Sequence, residues 1–513
     1  MNSITLQDLA DLLASKNIAA TLVGDSSCQV HGCACDSRAV EPGNLFVCKG
    51  AAFKPAFLDA ALDAGAVAYL CAPETESELA LQTPGVPHLA CADLRKAMAY
   101  VSAAAWGYPD RDLAIIGVTG TKGKTTTTCL IRSMLDSALP RPCAFMGTHD
   151  IFDGMGTYES ANTTPEAPDL WRYLAHAKEA GLTHVVMEVS SQALKYDRTL
   201  GVHFSVGCFL NIGHDHISPV EHPSFEDYLG SKLRIFDQAA ACVVNLDTDH
   251  YAEVARALAA SDSTALTYSL DNPAANVYGS CIEPQQGGTR FVAHTPHGAS
   301  EVFVDLLGTH NVEDALAAIA CAEAAGVDGL QCAETLSDVR VPGRMELFVT
   351  ADKRLTAIVD YAHNDVSYQR FFETVKRYFP AAYIISLFGV SGGKALDRYE
   401  DLPRIGSQFS DYVILTSDDP GTIDPRALLD EISVYVAPDT PYEKIPYRPQ
   451  ARLRAFELAQ AKAARDEGPV VMCLLGKADE GSVRIHNVDV PQESDVSASA
   501  HMIAWYDAVH KEG

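Results

Sequence analysis

Positive charge is scarce in this sequence beside negative charge. Lys and Arg number 39 against 67 Asp and Glu, for a net charge of −28 and a pI near 4.9. A chain so acidic is a poor partner for nucleic-acid backbones or anionic lipid surfaces, which attract basic patches. Nucleic acid is therefore not an expected partner, although a local basic pocket can still hold a small anionic substrate. No run of about 18 apolar residues occurs, so no membrane-spanning helix and no stable membrane insertion are expected. The opening "MNSITLQDLADLLASKN" lacks a basic region followed by an apolar core and is not expected to be a signal peptide. A zinc spacing is missing too. Cys33 and Cys35 are one residue apart and Cys28 does not complete a ligand set. The 14 scattered cysteines read as reduced, mostly buried thiols of a cytoplasmic protein. Internal repeats and low-complexity segments are absent as well.

What is present is an ordinary globular composition, 47% hydrophobic and 21% charged, over 513 residues. That length allows about three domains. Residues 1–109 read as a small α/β unit, with strand-like "GNLFVCKG" and "AVAYLCA" around the helical "AFLDAALDAGA". The turn-rich "WGYPDRD" (Trp106 to Asp112) is a junction. From there to about residue 341, apolar runs such as "LAIIGVTG", "HVVMEVSS", "VGCFLNIG" and "ACVVNLD" alternate with helical patterns. That alternation predicts a parallel sheet covered by helices, with ligands at the carboxyl ends of its strands. "VRVPGRMELF" (Val339 to Phe348) is a second junction, and a second α/β series follows it.

The phosphate-loop candidate is "GVTGTKGKTTTT", starting at Gly117. It departs from the usual pattern, because five residues rather than four separate Gly117 from Gly123-Lys124-Thr125. Gly120 and Gly123 allow tight curvature, so that N–H groups can face phosphate oxygens at a helix start. Lys124 would reach the outer phosphates and Thr125 would ligate Mg²⁺. The loop indicates nucleotide binding and names no reaction.

Other polar residues fall at strand ends. Glu188 closes "HVVME", where a carboxylate can serve Mg²⁺. Asn211, His214, Asp215 and His216 follow "VGCFL", and Lys232 lies in a helical stretch sixteen residues past His216. Singly, these also suit a surface carboxylate, a polar loop and a surface lysine.

Together they carry a resemblance. "TGTKGKTTT", "TTPE", "MEVSSQAL", "NIGHDHI", "YLGSKLRIF", "GTHNVEDALAA", "VPGRMELF", "DYAH" and "LLGKADE" occur in that order. The chain resembles the Mur ligase family, ATP-dependent amide ligases of peptidoglycan precursor synthesis, and so of cell-wall biogenesis, cell shape and division. The resemblance implies an α/β fold of three domains. These are an N-terminal UDP-substrate-binding domain (1–109), a central ATP-binding domain with a P-loop-type parallel sheet (110–341) and a C-terminal Rossmann-like, amino-acid-binding domain (342–513). "DSRAVEPGNLFVCKG" is most similar to the branch that adds the third residue, whose acceptor is UDP-N-acetylmuramoyl-L-alanyl-D-glutamate.

By that resemblance Ser37 contacts the UDP end, and Asn162, Thr163, Thr164, Ser190 and Arg198 hold the muramoyl-dipeptide. Tyr196 stands where diaminopimelate-adding enzymes usually have Gln. ATP falls to Gly120, Thr121, Lys122, Gly123, Lys124, Thr125, Thr126, Asn311, Arg344 and Asp360, with His363 nearby. The implied catalytic set is Lys124, Glu188, His216 and Lys232. One Mg²⁺ would sit on Thr125 and Glu188. A second would sit on His216 and Lys232, the latter carrying a CO₂-derived carbamate (N6-carboxylysine), because an ammonium has no lone pair for a metal. The implied reaction passes through an acyl phosphate, and cations offset the repulsion of its anionic partners.

The amino acid is read from "LTSDDPGTIDP". Diaminopimelate-adding relatives carry Asp-Asn-Pro-Arg there, and that Arg pairs with the distal carboxylate. Here the residues are Asp418, Asp419, Pro420 and Gly421. An acidic pocket without the Arg suits a side chain ending in an ammonium, so L-lysine is expected, with L-ornithine and meso-diaminopimelate as alternatives. Lys394 stands where relatives place an Arg for the amino acid's carboxylate, while Gly476 and Glu480 of "GKADE" match the region contacting its amine. A monomer is expected. The competing reading from another class is a regulatory or non-catalytic P-loop protein.

Overall fold

The computed structural model describes residues 3–50, 52–215, 217–218, 221–285, 287–393, 396–465 and 468–510. The apolar runs become strands and the periodic stretches between them become helices. At the N-terminus five strands lie in the order Ala20–Val23, His88–Cys91, Ala68–Cys71, Leu45–Val47 and Cys33–Ala34. The first pair is antiparallel and the rest are parallel. Ala68–Cys71 and His88–Cys91 are buried at every position, as strands covered on both faces must be.

A second sheet follows. Eight consecutive strands of its eleven run Thr157–Glu159, Asp150–Phe152, Ala144–Met146, His184–Glu188, Ala114–Thr119, Phe204–Phe209, Ala239–Asn245 and Thr264–Ser269 in space. From Ala144–Met146 onward the pairing is parallel, as the alternating sequence pattern predicts. The two strands before it form antiparallel hairpins, too short to announce themselves by periodicity. Glu188 pairs with Val118 and Phe209 with Thr119, so three parallel strands end together. That common edge is where an open α/β sheet binds its ligands. Trp171, on the helix Ala167–Glu179, is fully buried in the core that both N-terminal sheets share. Truncating such a residue to Ala costs about 3–5 kcal/mol.

The chain forms two compact units. One comprises Met1–Cys281, Phe291–Val302 and Val312–Ser337, and the other Ile282–Arg290, Phe303–Asn311 and Asp338–Gly513. The Trp106–Asp112 junction thus runs inside one unit, as a short 3-10 turn at Pro109–Asp112.

The second unit has its own sheet, in the order Glu346–Val349, Leu355–Asp360, Val470–Leu475, Tyr383–Phe388, Tyr412–Leu415 and Tyr442–Lys444. All but the first pair are parallel. Successive side chains on a strand face opposite ways. Val471, Cys473 and Leu475 join one buried core while Val470, Met472 and Leu474 join the other. Asp360 pairs with Leu475 and Phe388 with Leu415, which again brings polar loops out at one sheet edge. Among the described residues no helix is long and apolar enough to cross a membrane.

Candidate functional site

The loop after Ala114–Thr119 is shaped by glycine at two points. Gly123 has φ +86 and precedes the helix Lys124–Ala138. A Cβ there would lie 2.3 Å from Asp314 Oδ1. A Cβ on Gly120 would come within 2.9 Å of Leu210 Cβ. These positions leave the backbone free to curl at a helix N-terminus, where the field favours an anion. Thr126 is buried in the first turn. Thr121 Oγ1 accepts from Tyr228 OH and from Gly213 N, both at 3.0 Å, which ties the loop to the neighbouring strand end and helix.

Three lysines enter this loop. Lys124 Nζ donates to Gly120 O at 2.9 Å, and Lys232 Nζ donates to the same oxygen at 2.8 Å. Lys232 is four residues past Tyr228 on the helix Phe225–Leu233, so both face inward. Burial, reinforced by the charge of Lys124, holds the Lys232 amine well below the ordinary lysine pKa, against a weaker pull from Asp215. Lys122 instead pairs with Asp215 at 3.0 Å, while its backbone N–H donates to Asn211 Oδ1 at 2.9 Å.

Beside them, Thr125 Oγ1 lies 3.1 Å from both carboxylate oxygens of Glu188, and Thr148 N donates to Glu188 Oε1 at 2.8 Å. A buried hydroxyl and a buried carboxylate in contact are the hard oxygen donors that Mg²⁺ takes, with phosphates and water completing its shell. Among the described residues no group of three His, Cys, Asp or Glu gathers around a point. His216 and Lys394 lie outside the described residues.

The residues expected to hold the dipeptide cluster next to Glu188. Thr164 Oγ1 donates to Glu188 O at 2.9 Å and accepts from Ser190 N at 3.0 Å. Arg198 donates to Thr164 O at 3.1 Å, and Thr148 Oγ1 donates to Thr163 Oγ1 at 3.3 Å. Asn162 is exposed and offers its carbonyl to Ser160. Ser37 begins the short turn Ser37–Ala39, capped by Asp36. Two participants with no expected role lie inside the motifs: Glu166, which ends "TTPE" and pairs with Arg198 at 2.8 Å, and Lys49 of "FVCKG", which pairs with Glu166 at 2.6 Å.

In the second unit, Asp418, Asp419 and Glu480 surround Lys477. Its ammonium pairs with Asp419 at 3.1 Å and, closer, with Glu480. Lys477 was within reach of sequence reading, since it sits in the same "GKADE" as Gly476 and Glu480. Burial pushes the Asp418 carboxyl up to about 6, and nearby Asp419 and Glu480 add to the shift against Lys477 and Arg448. Gly476, at φ +101, would place a Cβ 3.3 Å from Asp418 Oδ2. Tyr361 OH donates to Glu480 at 2.7 Å. Pro420 O lies where a Cβ on Gly392 would meet it at 2.1 Å, and Gly421, at φ +62, donates to Arg484 O at 3.0 Å.

The three remaining nucleotide candidates, Asp360, Arg344 and Asn311, also lie in this unit, as does the neighbouring His363. Asp360 accepts from Met345 N and Ala362 N at 2.8 and 2.7 Å. The Arg344 guanidinium lies over the Tyr361 ring at 4.8 Å. Asn311 donates to Leu307 O at 2.7 Å, and His363 Nδ1 lies 2.7 Å from Tyr361 O.

The chain is similar to known proteins in sequence and fold. Residues 118–322 match the Mur ligase middle domain, and residues 343–473 match the Mur ligase, glutamate ligase domain. The UDP-N-acetylmuramoyl-L-alanyl-D-glutamate–L-lysine ligase of Enterococcus faecalis is 34% identical over 91% of this chain and 90% of its own. The UDP-N-acetylmuramyl-tripeptide synthetase of Bifidobacterium longum is 34% identical over 96% of this chain and 98% of its own. A solved UDP-N-acetylmuramoyl-L-alanyl-D-glutamate–2,6-diaminopimelate ligase superposes with a TM-score of 0.67 at 25% identity, covering 99% of this chain and all of that one. In fold alone, the chain is also like the MurF ligase of Thermotoga maritima solved with ADP, with a TM-score of 0.61 at 15% identity over 94% and 99% of the two chains. This chain belongs to the Mur ligase family.

Proposed function

We propose that this chain is an ATP-dependent amide ligase that joins L-lysine to UDP-N-acetylmuramoyl-L-alanyl-D-glutamate. The observation that carries the choice of amino acid is the acidic cluster Asp418, Asp419 and Glu480 with Gly421 in place of an arginine. Three carboxylates around one lysine leave a surplus of negative charge, which suits a second ammonium. A second distal carboxylate, as in diaminopimelate, finds no bidentate partner at Gly421. The name of the Enterococcus relative agrees with this reading.

The chemistry divides between the residue sets. A carboxylate oxygen of the terminal glutamate attacks the γ-phosphorus of ATP, the bond to the β-phosphate oxygen breaks, and ADP and an acyl phosphate result. The lysine amine then attacks the acyl carbon, the carbon–oxygen bond breaks, phosphate leaves and the nitrogen loses a proton. Lys124 and Lys122 supply positive charge to the phosphates, and the loop N–H groups orient them. Thr125 and Glu188 would hold Mg²⁺, whose chemistry is to offset the charge of the transferring phosphate. We assign Lys232 and His216 to a second Mg²⁺. The buried Lys232 amine, whose pKa burial and Lys124 hold well below the ordinary lysine value, suits reaction with CO₂, which gives an anionic oxygen ligand. Thr163, Thr164, Ser190 and Arg198 hold the dipeptide, with Asn162 beside them and Ser37 at the UDP end. Asn311, Arg344 and Asp360 serve ATP. Lys394, Asp418, Asp419, Gly476 and Glu480 serve the amino acid.

On this reading residues 1–109 bind the UDP end, 110–341 ATP and 342–513 the amino acid. The enzyme works as a monomer in the cytoplasm. The test is phosphate release from ATP with the UDP-muramoyl-dipeptide and, in parallel, lysine, ornithine or diaminopimelate. Lysine is expected to give the highest kcat/KM. No release with any of the three sinks the ligase reading, and a diaminopimelate preference sinks the pocket argument.

A further inference from the structure

The Glu166 carboxylate sits between two cations. Lys49 Nζ is 2.6 Å from Oε2, and Arg198 is 2.8 Å from Oε1. Glu166 stands at the N-cap of the helix Ala167–Glu179, yet its side chain makes no capping hydrogen bond. Its carboxylate goes to the two cations instead. The three side chains are between 14% and 24% exposed, so a solute can reach them. Arg198 Nε is buried and lacks a hydrogen-bond partner among the described residues. A buried guanidinium N–H without an acceptor is costly, and an incoming anion would satisfy it. The group also carries one positive charge beyond what Glu166 neutralises, in a chain whose net charge is −28.

The place of the group in the fold gives it a use. Arg198 holds Thr164 O, and Thr164 Oγ1 holds Glu188 O at the end of the strand whose carboxylate touches Thr125. The cations therefore stand beside the phosphate-transfer residues. A terminal glutamate brings two carboxylates. One must meet the γ-phosphate, and the other must be held elsewhere, or the wrong oxygen is presented. Two cations in fixed geometry suit that second carboxylate.

We infer that Lys49 and Arg198 together grip the non-reacting carboxylate of the acceptor's terminal glutamate, and that Glu166 occupies this place until the acceptor displaces it. Lys49 is then a residue that binds and orients the acceptor, and Glu166 is an internal competitor. The inference rests on the ligase reading above.

Opposite signs at the two partners test it. In the full-length enzyme, Lys49→Ala raises KM for the UDP-muramoyl-dipeptide about tenfold, the worth of one charge-assisted hydrogen bond. KM for ATP and for lysine stays put. Glu166→Gln lowers KM for the dipeptide, because the competitor is gone. An ion pair that only braces the fold gives a different result: both substitutions raise KM and lower the melting temperature together. An acceptor bearing an amide in place of the anchored carboxylate binds wild type about tenfold worse and Lys49→Ala no worse than the parent acceptor. An unchanged dipeptide KM in Lys49→Ala, or a raised one in Glu166→Gln, overturns the inference while leaving the ligase reading intact. If Lys49→Ala does not fold, the sign of the Glu166→Gln effect decides. Wild type that releases no phosphate with the dipeptide and any diamino acid fells both.

Discussion

Lys232 and Lys124 donate to one carbonyl oxygen, that of Gly120, from 2.8 and 2.9 Å. Two ammonium groups on one acceptor in a buried site repel each other, and the more deeply buried amine gives up its proton more readily. Its pKa is accordingly depressed, first by burial and then by Lys124. A neutral amine is the form that adds CO₂. We expect Lys232→Ala to lower kcat on the order of a hundredfold or more, as loss of a charge-stabilising group does. Acetate or bicarbonate should restore part of it by placing a carboxylate in the vacated space. Phosphate release with and without added acid is the measurement, and undiminished activity in the variant would refute the role.

A different dependence on pH is expected at Asp418, whose carboxyl is raised to about 6, chiefly by burial. It is charged above that value and neutral below it. If it pairs with the lysine ammonium, KM for lysine rises as pH falls through about 6, and Asp418→Asn shows a high, flat KM across the range. The stability effect has the opposite sense. Because the folded pKa lies above the unfolded one, the folded state holds the proton more tightly between the ordinary carboxyl value, 3.8, and about 6. This group therefore costs stability as pH rises through that window, and Asp418→Asn removes the cost. Denaturant unfolding at several pH values reads it, and parallel curves for wild type and variant would count against the shift.

Much of this was legible in the sequence. Strands of the central sheet could be placed because their apolar runs end in Gly, Glu or Asn, and the loop glycines because the pattern around Lys124 demands tight backbone. Lys232 could be singled out only through its family context, since nothing in "YLGSKLRIF" alone says that its amine lies beneath a phosphate loop. The pairings of Lys49, Glu166 and Arg448 were out of reach for a plainer reason. Their roles come from partners 117, 32 and 47 positions away, and periodicity carries no information on such pairings. The antiparallel strands at Asp150–Phe152 and Thr157–Glu159 escaped because three residues show no alternation.

Arg448, at the start of the helix Arg448–Ala463, is the last of these and yields the sharpest stability forecast. It is fully buried, pairs with Asp495 at 2.5 Å, and donates to Ser417 O and Leu475 O at 3.3 and 2.8 Å. Those carbonyls immediately precede Asp418 and Gly476, so one guanidinium holds the roots of both loops that form the acidic cluster. Arg452 joins Asp495 at 3.0 Å. Burial alone would raise the Asp495 carboxyl, but the two guanidiniums more than offset it and the net shift is downward. Its stabilising contribution is therefore present above the ordinary carboxyl range and is lost as pH falls through the depressed folded value. Asp495→Asn leaves two buried cations without their counter-charge and should cost about 3–5 kcal/mol. The loss should appear as a lower denaturant midpoint for the second unit at neutral pH. Where the variant still folds, the loosened carbonyls should raise KM for lysine while KM for ATP holds. A midpoint equal to that of wild type would show that the buried pair contributes little and that the two loops are held by backbone pairing alone.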